Sequence, residues 1–204
     1  KSLTDPSVGM NKGDFRILIT RDKENRILTI EDNGIGMTKE ELEQNLGTIA
    51  HSGSLDFKKD NKDENIDIIG QFGVGFYSSF MVADKVTVIS KAYGSDEAWQ
   101  WESSGVDGYE MTPAQKDTAG TQIILHIKPD TETDHYDNFL DEYGIVAIVK
   151  KYSDYVRYPI QMERQHERQK PEPDPKPEDY KPEWETYTEL ETLNSMVPIW
   201  KKQK

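Results

Sequence analysis

Two glycine-rich motifs, at residues 32–37 and 70–76, constrain this chain more than any other feature of its sequence. The second motif reads Gly-Gln-Phe-Gly-Val-Gly-Phe and runs directly into a predicted helix. Glycines let a backbone approach an anion closely, and the free N–H groups of a helix N-terminus donate hydrogen bonds to it. The motif therefore predicts a phosphate site, with a hinge or a tight helix–sheet contact as the alternative. Its spacing differs from the dinucleotide-binding pattern G-x-G-x-x-G, and the sequence contains no P-loop.

The first motif, Asp-Asn-Gly-Ile-Gly-Met, follows a predicted strand and precedes a predicted helix. The carboxylate of Asp32 can accept a hydrogen bond from the exocyclic amine of adenine, whereas it would face the oxygen of guanine unfavourably. Gly34 and Gly36 leave room for a ring, and Met37 can lie on its apolar face. Asp-Asn-Gly is also common in solvent-exposed turns. Taken alone, the motif leaves base recognition and a plain turn open.

The hydrophobic pattern predicts an α+β fold, a two-layer sandwich whose antiparallel or mixed sheet is covered by helices on one face. Thr38 and Glu41 form a predicted capping box, after which Leu42, Leu46 and Ile49 follow a helical period. Two further helices are predicted, a buried one over 76–83 and a long one over 137–155. The predicted strands cover residues 15–20, 27–30, 86–90, 98–103, 109–111, 121–127 and 156–162.

Closely spaced prolines between residues 171 and 182 predict a boundary in the chain. Each proline removes a backbone donor and restricts the residue before it, so this segment is expected to be extended. The predicted division is a first domain over 1–165, a Pro-rich charged linker over 166–182 and the start of a second domain over 183–204. A tail without a role is the alternative for the linker. The last segment carries residues that are expected to be too apolar for solvent, namely Trp184, Tyr187, Leu190, Leu193, Met196, Val197, Ile199 and Trp200.

Charge and composition exclude several classes of function. The formal net charge of −13 argues against a large nucleic-acid footprint and against docking on anionic lipid, because both need a basic surface. The absence of cysteine excludes disulfides, zinc–thiolate sites and thiol nucleophiles. No apolar stretch approaches a membrane span and no signal peptide is apparent, so a cytoplasmic location and no membrane partner are expected. The chain begins at Lys1 without an initiator Met, and we expect it to be part of a longer protein.

Several stretches resemble, in order, the ATP-binding boxes of the split-sheet ATPase superfamily of gyrases, histidine kinases, mismatch-repair ATPases and heat-shock protein 90 chaperones. These stretches are 32–37, 45–50, 52–53, 70–76 and 120–121. The chain resembles in particular the nucleotide-binding domain of the heat-shock protein 90 chaperones of bacterial type, through 1–6, 45–50, 71–78 and 157–160. The resemblance covers nearly all of residues 1–165. It implies the split-sheet fold, lacking the family's N-terminal strand and helices.

The resemblance also implies roles for individual residues. Asp32 would hold the adenine amine, and Gly36 and Thr121 would hold a water that bridges to the ring. Asn45 would reach the ribose or the phosphates. Residues 47–67 would form a lid, in which His51 stands where the family usually has Lys, so that phosphate affinity would depend on pH. The other implied nucleotide-binding residues are Met37, Leu46, Ser52, Gly70, Gln71, Phe72, Gly73, Val74, Gly75 and Phe76.

For the parent protein, the resemblance implies an ATP hydrolase of the stress response that uses ATP or ADP with Mg²⁺. It also implies a homodimer that assists the folding of client proteins together with co-chaperones. The family's catalytic Glu and magnesium-binding Asn lie on a helix upstream of the position of Lys1. No catalytic residue and no metal ligand are therefore assigned, and this chain alone is expected not to hydrolyse ATP. The alternatives are a histidine-kinase or mismatch-repair ATPase, and a non-catalytic adenine-nucleotide-binding module.

Overall fold

The fold is organised around one mixed sheet, seen in a computed structural model that describes residues 11–47, 75–171 and 181–197. Its eight strands lie in the spatial order β5-β4-β3-β6-β2-β1-β7-β8. β1 and β7 pair in parallel, and the other neighbouring strands pair antiparallel. The strands are β1 Ile17–Asp22, β2 Ile27–Asp32, β3 Ala83–Lys91, β4 Ala98–Ser103, β5 Glu110–Ala114, β6 Gly120–Ile127, β7 Ile160–Gln169 and β8 Trp184–Thr192.

Within the described residues, three α-helices accompany the sheet: α1 Lys39–Gly47, α2 Ser79–Val82 and α3 Glu142–Tyr152. Short 3-10 helices cover Lys12–Asp14, Phe76–Ser78 and Tyr136–Phe139. Buried side chains of α1 and α3 join those of one sheet face in a single hydrophobic cluster. The predicted α+β class, with a mixed sheet and helices on one face, is therefore confirmed. No helix within the described ranges is long and apolar enough to cross a membrane.

Local sequence signals explain the first hairpin and the first helix. β1 and β2 are joined by a polar turn, in which the Asp22 carboxylate accepts hydrogen bonds from the backbone and side chain of Asn25. The predicted capping box forms, because Glu41 N donates to Thr38 Oγ1 (3.2 Å) and Thr38 N donates to Glu41 Oε2 (3.0 Å). The helix that follows buries Leu42 completely. Burial of one such side chain stabilises a fold by about 1.5–3 kcal/mol.

Two helix predictions need correction. The predicted buried helix over 76–83 is a 3-10 turn followed by the four-residue α2, and Ala83 already belongs to β3. It is also less buried than expected, since Met81 is 72% exposed. The predicted helix over 137–155 is divided, because the side chain of Asp141 caps a new helix by accepting a hydrogen bond from Gly144 N (3.0 Å).

The last strands run differently from the prediction. Pro159 precedes β7, and β7 extends to Gln169 instead of ending near residue 162. Residues 184–192, on the far side of the prolines, form β8 and pair antiparallel with β7 along their whole length. Leu193 is buried in the core as expected, whereas Trp184, Leu190, Met196 and Val197 are exposed, contrary to the prediction. Ile199 and Trp200 lie outside the described residues.

Candidate functional site

Three polar side chains lie next to one another on adjacent strands of the buried sheet face. Asp32 at the end of β2 is the cross-strand partner of Thr121 at the start of β6, and Thr121 is also the partner of Ser90 on β3. Cross-strand partners point to the same side of a sheet. The register therefore gathers a carboxyl and two hydroxyl groups from positions that are far apart in the sequence.

The Asp32 carboxyl is partly buried and is held by backbone donors. Gly34 N donates to its Oδ1 at 2.8 Å, and the backbone N–H of Thr121 donates to it as well. Burial raises the pKa of Asp32 above its ordinary value, and these two backbone hydrogen bonds oppose the rise. Lys116, which is paired with Glu31, adds a smaller opposing charge effect on that pKa. The carboxyl is thus fixed in direction and poorly solvated, which suits hydrogen bonding to a ligand.

Two glycines allow the backbone segments around Asp32 to pack closely against one another. Gly36 has a φ of +61°, and a Cβ at this position would lie 1.8 Å from the carbonyl oxygen of Lys91. Gly120 has a φ of +131°, and a Cβ there would lie 2.2 Å from the carbonyl oxygen of Asp32. Both the backbone conformation and the lack of space require glycine. Gly36, the second glycine of the first motif, is therefore explained by close packing of the loop against β3 and β6.

Two hydrogen bonds of the Asn33 side chain hold the turn in place. Its Oδ1 accepts a hydrogen bond from Arg16 N (2.8 Å), and its Nδ2 donates to the carbonyl of Asp14 (2.7 Å). These bonds tie the Asp-Asn-Gly segment to the chain that leads into β1. The segment is therefore an anchored turn whose Asp faces inward, and the plain exposed turn that the sequence left open is not what forms.

The predicted pocket residues on α1 lie beside this turn. Met37 is partly buried, and Asn45 Nδ2 lies 3.6 Å from its sulfur. Leu46 is buried, and its carbonyl accepts a hydrogen bond from the hydroxyl of Tyr77 (2.8 Å). Asn45 on α1 thus lies against Met37, which precedes the helix, and Asn45 is partly buried.

Phe76 belongs to an aromatic cluster that the sequence analysis did not identify. Its ring meets Trp101 edge to face with centroids 5.4 Å apart, and Trp101 stacks on Tyr109 at 5.8 Å. Trp101 is 2% exposed. Alternation along β4 could have indicated that Trp101 faces inward, but its aromatic partners come from distant segments.

Seven predicted binding residues lie outside the described residues: His51, Ser52, Gly70, Gln71, Phe72, Gly73 and Val74. Gly75 is described and exposed, with a φ of −61°, and a Cβ there would meet nothing within 4 Å. Neither space nor backbone conformation requires glycine at that position. Among the residues that the structure describes, no group of three or more His, Cys, Asp or Glu side chains could hold a metal ion.

Comparison with known proteins agrees with this geometry. Residues 3–127 match the family described as histidine kinase-, DNA gyrase B- and HSP90-like ATPases. The whole chain is 58% identical to a protein of Clostridium botulinum named Chaperone protein HtpG, of which it covers 32%. It is 57% identical to the protein of that name from Bacillus licheniformis and 56% identical to that of Natranaerobius thermophilus, again over 32% of each.

The chain thus spans about a third of the length of these relatives. The resemblance to bacterial-type heat-shock protein 90, stated from the motifs, is confirmed by this similarity along the whole chain. The matched segment, residues 3–127, contains all the residues of this site: Asp32, Gly36, Ser90, Gly120 and Thr121. The chain belongs to the family of histidine kinase-, DNA gyrase B- and HSP90-like ATPases.

Proposed function

We propose that this chain is the nucleotide-binding part of a heat-shock protein 90 chaperone and binds ATP and ADP at the site built around Asp32. The observation that carries the proposal is the partly buried Asp32 carboxyl, aligned with Thr121 and Ser90 on one sheet face. Membership of the ATPase family and similarity to proteins named as chaperones support it.

Asp32 recognises the base by accepting a hydrogen bond from the adenine amine. Two backbone donors already hold its carboxyl in one orientation, so little freedom is lost when the ligand binds. A guanine would place its carbonyl oxygen against the carboxylate, and two acceptors would then face each other without a proton between them. Gly36 and Thr121 hold a bridging water on the adjacent side of the ring. Met37, Leu46 and Phe76 provide apolar contact.

In the proposed site, the phosphates are bound mainly by backbone N–H groups and a side-chain amide, and not by clustered charged side chains. Asn45 is partly buried beside Met37 and would reach the ribose or the phosphates, and the Gly70–Gly75 segment would supply backbone N–H donors to the phosphates. His51, Ser52, Gln71, Phe72 and Val74 complete this side of the proposed site. Mg²⁺ would be held by the nucleotide's phosphate oxygens and would offset phosphate charge, and no residue of this chain is assigned to it.

The remaining properties are proposed for the longer protein to which this chain corresponds. We propose that it hydrolyses ATP, acts as a homodimer in the cytoplasm and assists client proteins with co-chaperones under stress. In the proposed division, 1–165 bind nucleotide, 166–182 are the linker and 183–204 begin the next domain. β8 lies in that last segment and extends the sheet of the first.

Calorimetry with ADP tests the proposal, by comparing the protein with Asp32→Asn. Loss of an ionised acceptor to a buried amine is expected to weaken binding at least tenfold, which corresponds to about 1.4 kcal/mol. Asp107→Asn is the matched control, because Asp107 is exposed and distant in sequence from the site. Equal ADP affinity for the protein and Asp32→Asn would contradict the adenine assignment.

A second pair of measurements separates the proposal from its alternatives. Autophosphorylation of the longer protein would favour a histidine kinase, and DNA-stimulated turnover would favour a mismatch-repair ATPase. Nucleotide binding without turnover in the longer protein would favour a non-catalytic module. ATP hydrolysis without either of the first two effects is the expected result.

A further inference from the structure

Ser90 occupies a position on β3 that the rest of the strand gives to apolar residues. Val86 and Val88, four and two residues earlier, share its face and are buried, and Ser90 itself is 0% exposed. A hydroxyl in such a place destabilises the fold unless it is hydrogen-bonded. Its presence in this row therefore requires partners, and the structure provides three.

These partners come from both sides of the proposed adenine site. Ser90 Oγ accepts a hydrogen bond from Met37 N at 2.9 Å. It lies 2.9 Å from Thr121 Oγ1 and 3.2 Å from the carbonyl oxygen of Gly120. Met37 directly follows Gly36, and Gly120 packs against the Asp32 backbone. Ser90 is thus the side chain that joins the Gly36–Met37 turn to the Gly120–Thr121 strand end.

Because a hydroxyl group has a single hydrogen, the hydrogen bonds of Ser90 and Thr121 can run in one of two directions. A serine hydroxyl has one hydrogen, and the Met37 N–H already points at its oxygen. The hydrogen can go to Thr121 Oγ1, which leaves the Thr121 hydroxyl free to donate into the site. It can instead go to the Gly120 carbonyl, in which case Thr121 donates to Ser90 and presents only a lone pair to the site.

We propose that Ser90 is a positioning residue whose hydroxyl lets Thr121 present either a hydrogen or a lone pair to the base, so that removing it raises the preference for adenine over a 6-oxopurine; this inference rests on the proposed nucleotide site. Ser90 does not touch the base. It acts through Thr121, and it holds the Gly36–Met37 turn in place through the Met37 N–H.

The two directions match two kinds of base. Adenine carries an unprotonated ring nitrogen next to its amine, so Thr121 has to donate towards it. It does so directly, or through a water whose two hydrogens go to the ring nitrogen and to Asp32. Hydrogen bonds are then donated by Met37 N to Ser90, by Ser90 to Thr121 and by Thr121 to the ligand. Hypoxanthine has a ring N–H and a carbonyl oxygen at the same positions, which needs the reverse order ending at the Gly120 carbonyl.

Calorimetric titration with ADP and with inosine 5′-diphosphate tests the inference on the protein, Ser90→Ala and Ser90→Thr. Ser90→Ala is expected to weaken inosine diphosphate binding about tenfold and ADP binding about twofold or less, since Thr121 loses the acceptor for its hydrogen but can still donate towards adenine. The preference for ADP therefore rises about fivefold. Ser90→Thr retains the hydroxyl and is expected to keep the preference of the unchanged protein.

The controls separate a positioning role from loss of structure. Ser104→Ala, at an exposed position, is expected to bind both nucleotides as the protein does. An equal weakening of both nucleotides by Ser90→Ala, or an unchanged preference, would overturn the inference. If Ser90→Ala does not fold, Ser90→Cys replaces it, because a thiol keeps nearly the same volume but donates weakly. An unchanged preference in that variant would overturn the inference in the same way.

This inference and the proposed function fail differently. If the protein itself does not bind ADP, the proposed function is wrong. If the protein binds ADP, Asp32→Asn weakens it and Ser90→Ala leaves the preference unchanged, the nucleotide site stands and the role of Ser90 is wrong.

Discussion

At the scale of single residues, the site combines an unfavourable buried charge with backbone that admits only glycine. Burial raises the pKa of Asp32, which means that the folded protein disfavours the ionised carboxylate that the proposed function requires. The hydrogen bonds from Gly34 and Thr121 reduce this penalty without removing it. Residues held for binding often reduce stability, and Asp32 is the described residue where this conflict is clearest.

This conflict predicts a pH-dependent difference between the protein and Asp32→Asn. A carboxyl whose pKa is raised by folding contributes stability below its unfolded pKa, near the ordinary value of 3.8, and loses it as pH rises through the folded pKa. The variant lacks this titration. Urea unfolding at pH 7 is therefore expected to find Asp32→Asn at least as stable as the protein, although it no longer binds ADP well.

The same comparison at lower pH provides the check. The advantage of Asp32→Asn is expected to shrink as pH falls towards 3.8, because both side chains are then uncharged. Asp107→Asn again serves as the control for general effects of charge. A variant that is less stable than the protein at pH 7 and equally so at low pH would show that the hydrogen bonds of Asp32 outweigh its desolvation.

At the scale of elements, the strand after the prolines is followed by a short segment that is buried and hydrogen-bonded to the rest of the fold. β8 is the outer strand beside β7, and its Trp184 and Leu190 are exposed. Directly after it, Leu193 is buried and Leu193 N donates to the Ile160 carbonyl at 2.7 Å. The buried Asn194 then connects three backbone groups of another segment.

Those three bonds satisfy backbone groups that are buried or partly buried. Asn194 Oδ1 accepts from Ile160 N (2.8 Å), and its Nδ2 donates to the carbonyls of Val156 (2.8 Å) and Tyr158 (3.0 Å). Ser195 adds bonds from its backbone N–H and its hydroxyl to the Asp154 carboxylate, both at 2.8 Å. The Leu193–Ser195 segment is thus hydrogen-bonded to the connection between α3 and β7 and to the first residue of β7.

Asn194→Ala is expected to lower the free energy of unfolding by about 2–3 kcal/mol, because buried backbone groups would lose their partners. Urea denaturation followed by far-UV circular dichroism measures this. Thr186→Ala, at an exposed position on β8, is expected to change stability by about 0.5 kcal/mol or less. An effect of Asn194→Ala as small as that of the control would mean that water replaces the amide.

At the scale of the whole molecule, an acidic protein is proposed to bind an anion. The formal net charge is −13 and the sequence pI is about 4.8. Long-range attraction of the protein for phosphate is therefore absent, and affinity has to come from short-range groups such as backbone N–H donors and a bound cation. This arrangement distinguishes the proposed site from one that attracts its ligand with clustered Lys and Arg.

The charge predicts an unusual salt dependence of binding kinetics. Added salt screens the repulsion between the protein and ADP, so the association rate constant is expected to rise about twofold between about 0.02 and 0.2 M NaCl. Stopped-flow fluorescence with a labelled ADP measures it at constant Mg²⁺. Adenosine is the matched control, because it carries no phosphate and its association rate should not depend on salt. A rate for ADP that falls with salt would reveal an attracting basic surface.

The sequence by itself determined the features that short-range chemistry encodes. The capping box of Thr38 and Glu41 and the β1–β2 hairpin depend on neighbours within a few residues, so their patterns could be interpreted directly. Asp32 could be named as a candidate acceptor for adenine, but its Asp-Asn-Gly motif alone left a plain turn open. The α+β class followed from the order of the predicted elements. The roles of Asn45, Phe76 and Thr121 came from resemblance to a family.

Only the tertiary structure decided which distant residues meet. Ser90 had no recognisable signal, because a single serine in an apolar strand acquires a role only when strand pairing places it beside Thr121 and Met37. The pairing of β8 with β7 across the proline-rich segment was equally hidden, since local propensity does not specify a strand's partner. Gly120 requires glycine because the Asp32 carbonyl lies against it. The sequence therefore determined local hydrogen bonds and candidate chemistry, whereas strand register, which brings together residues far apart in the chain, assembled the site.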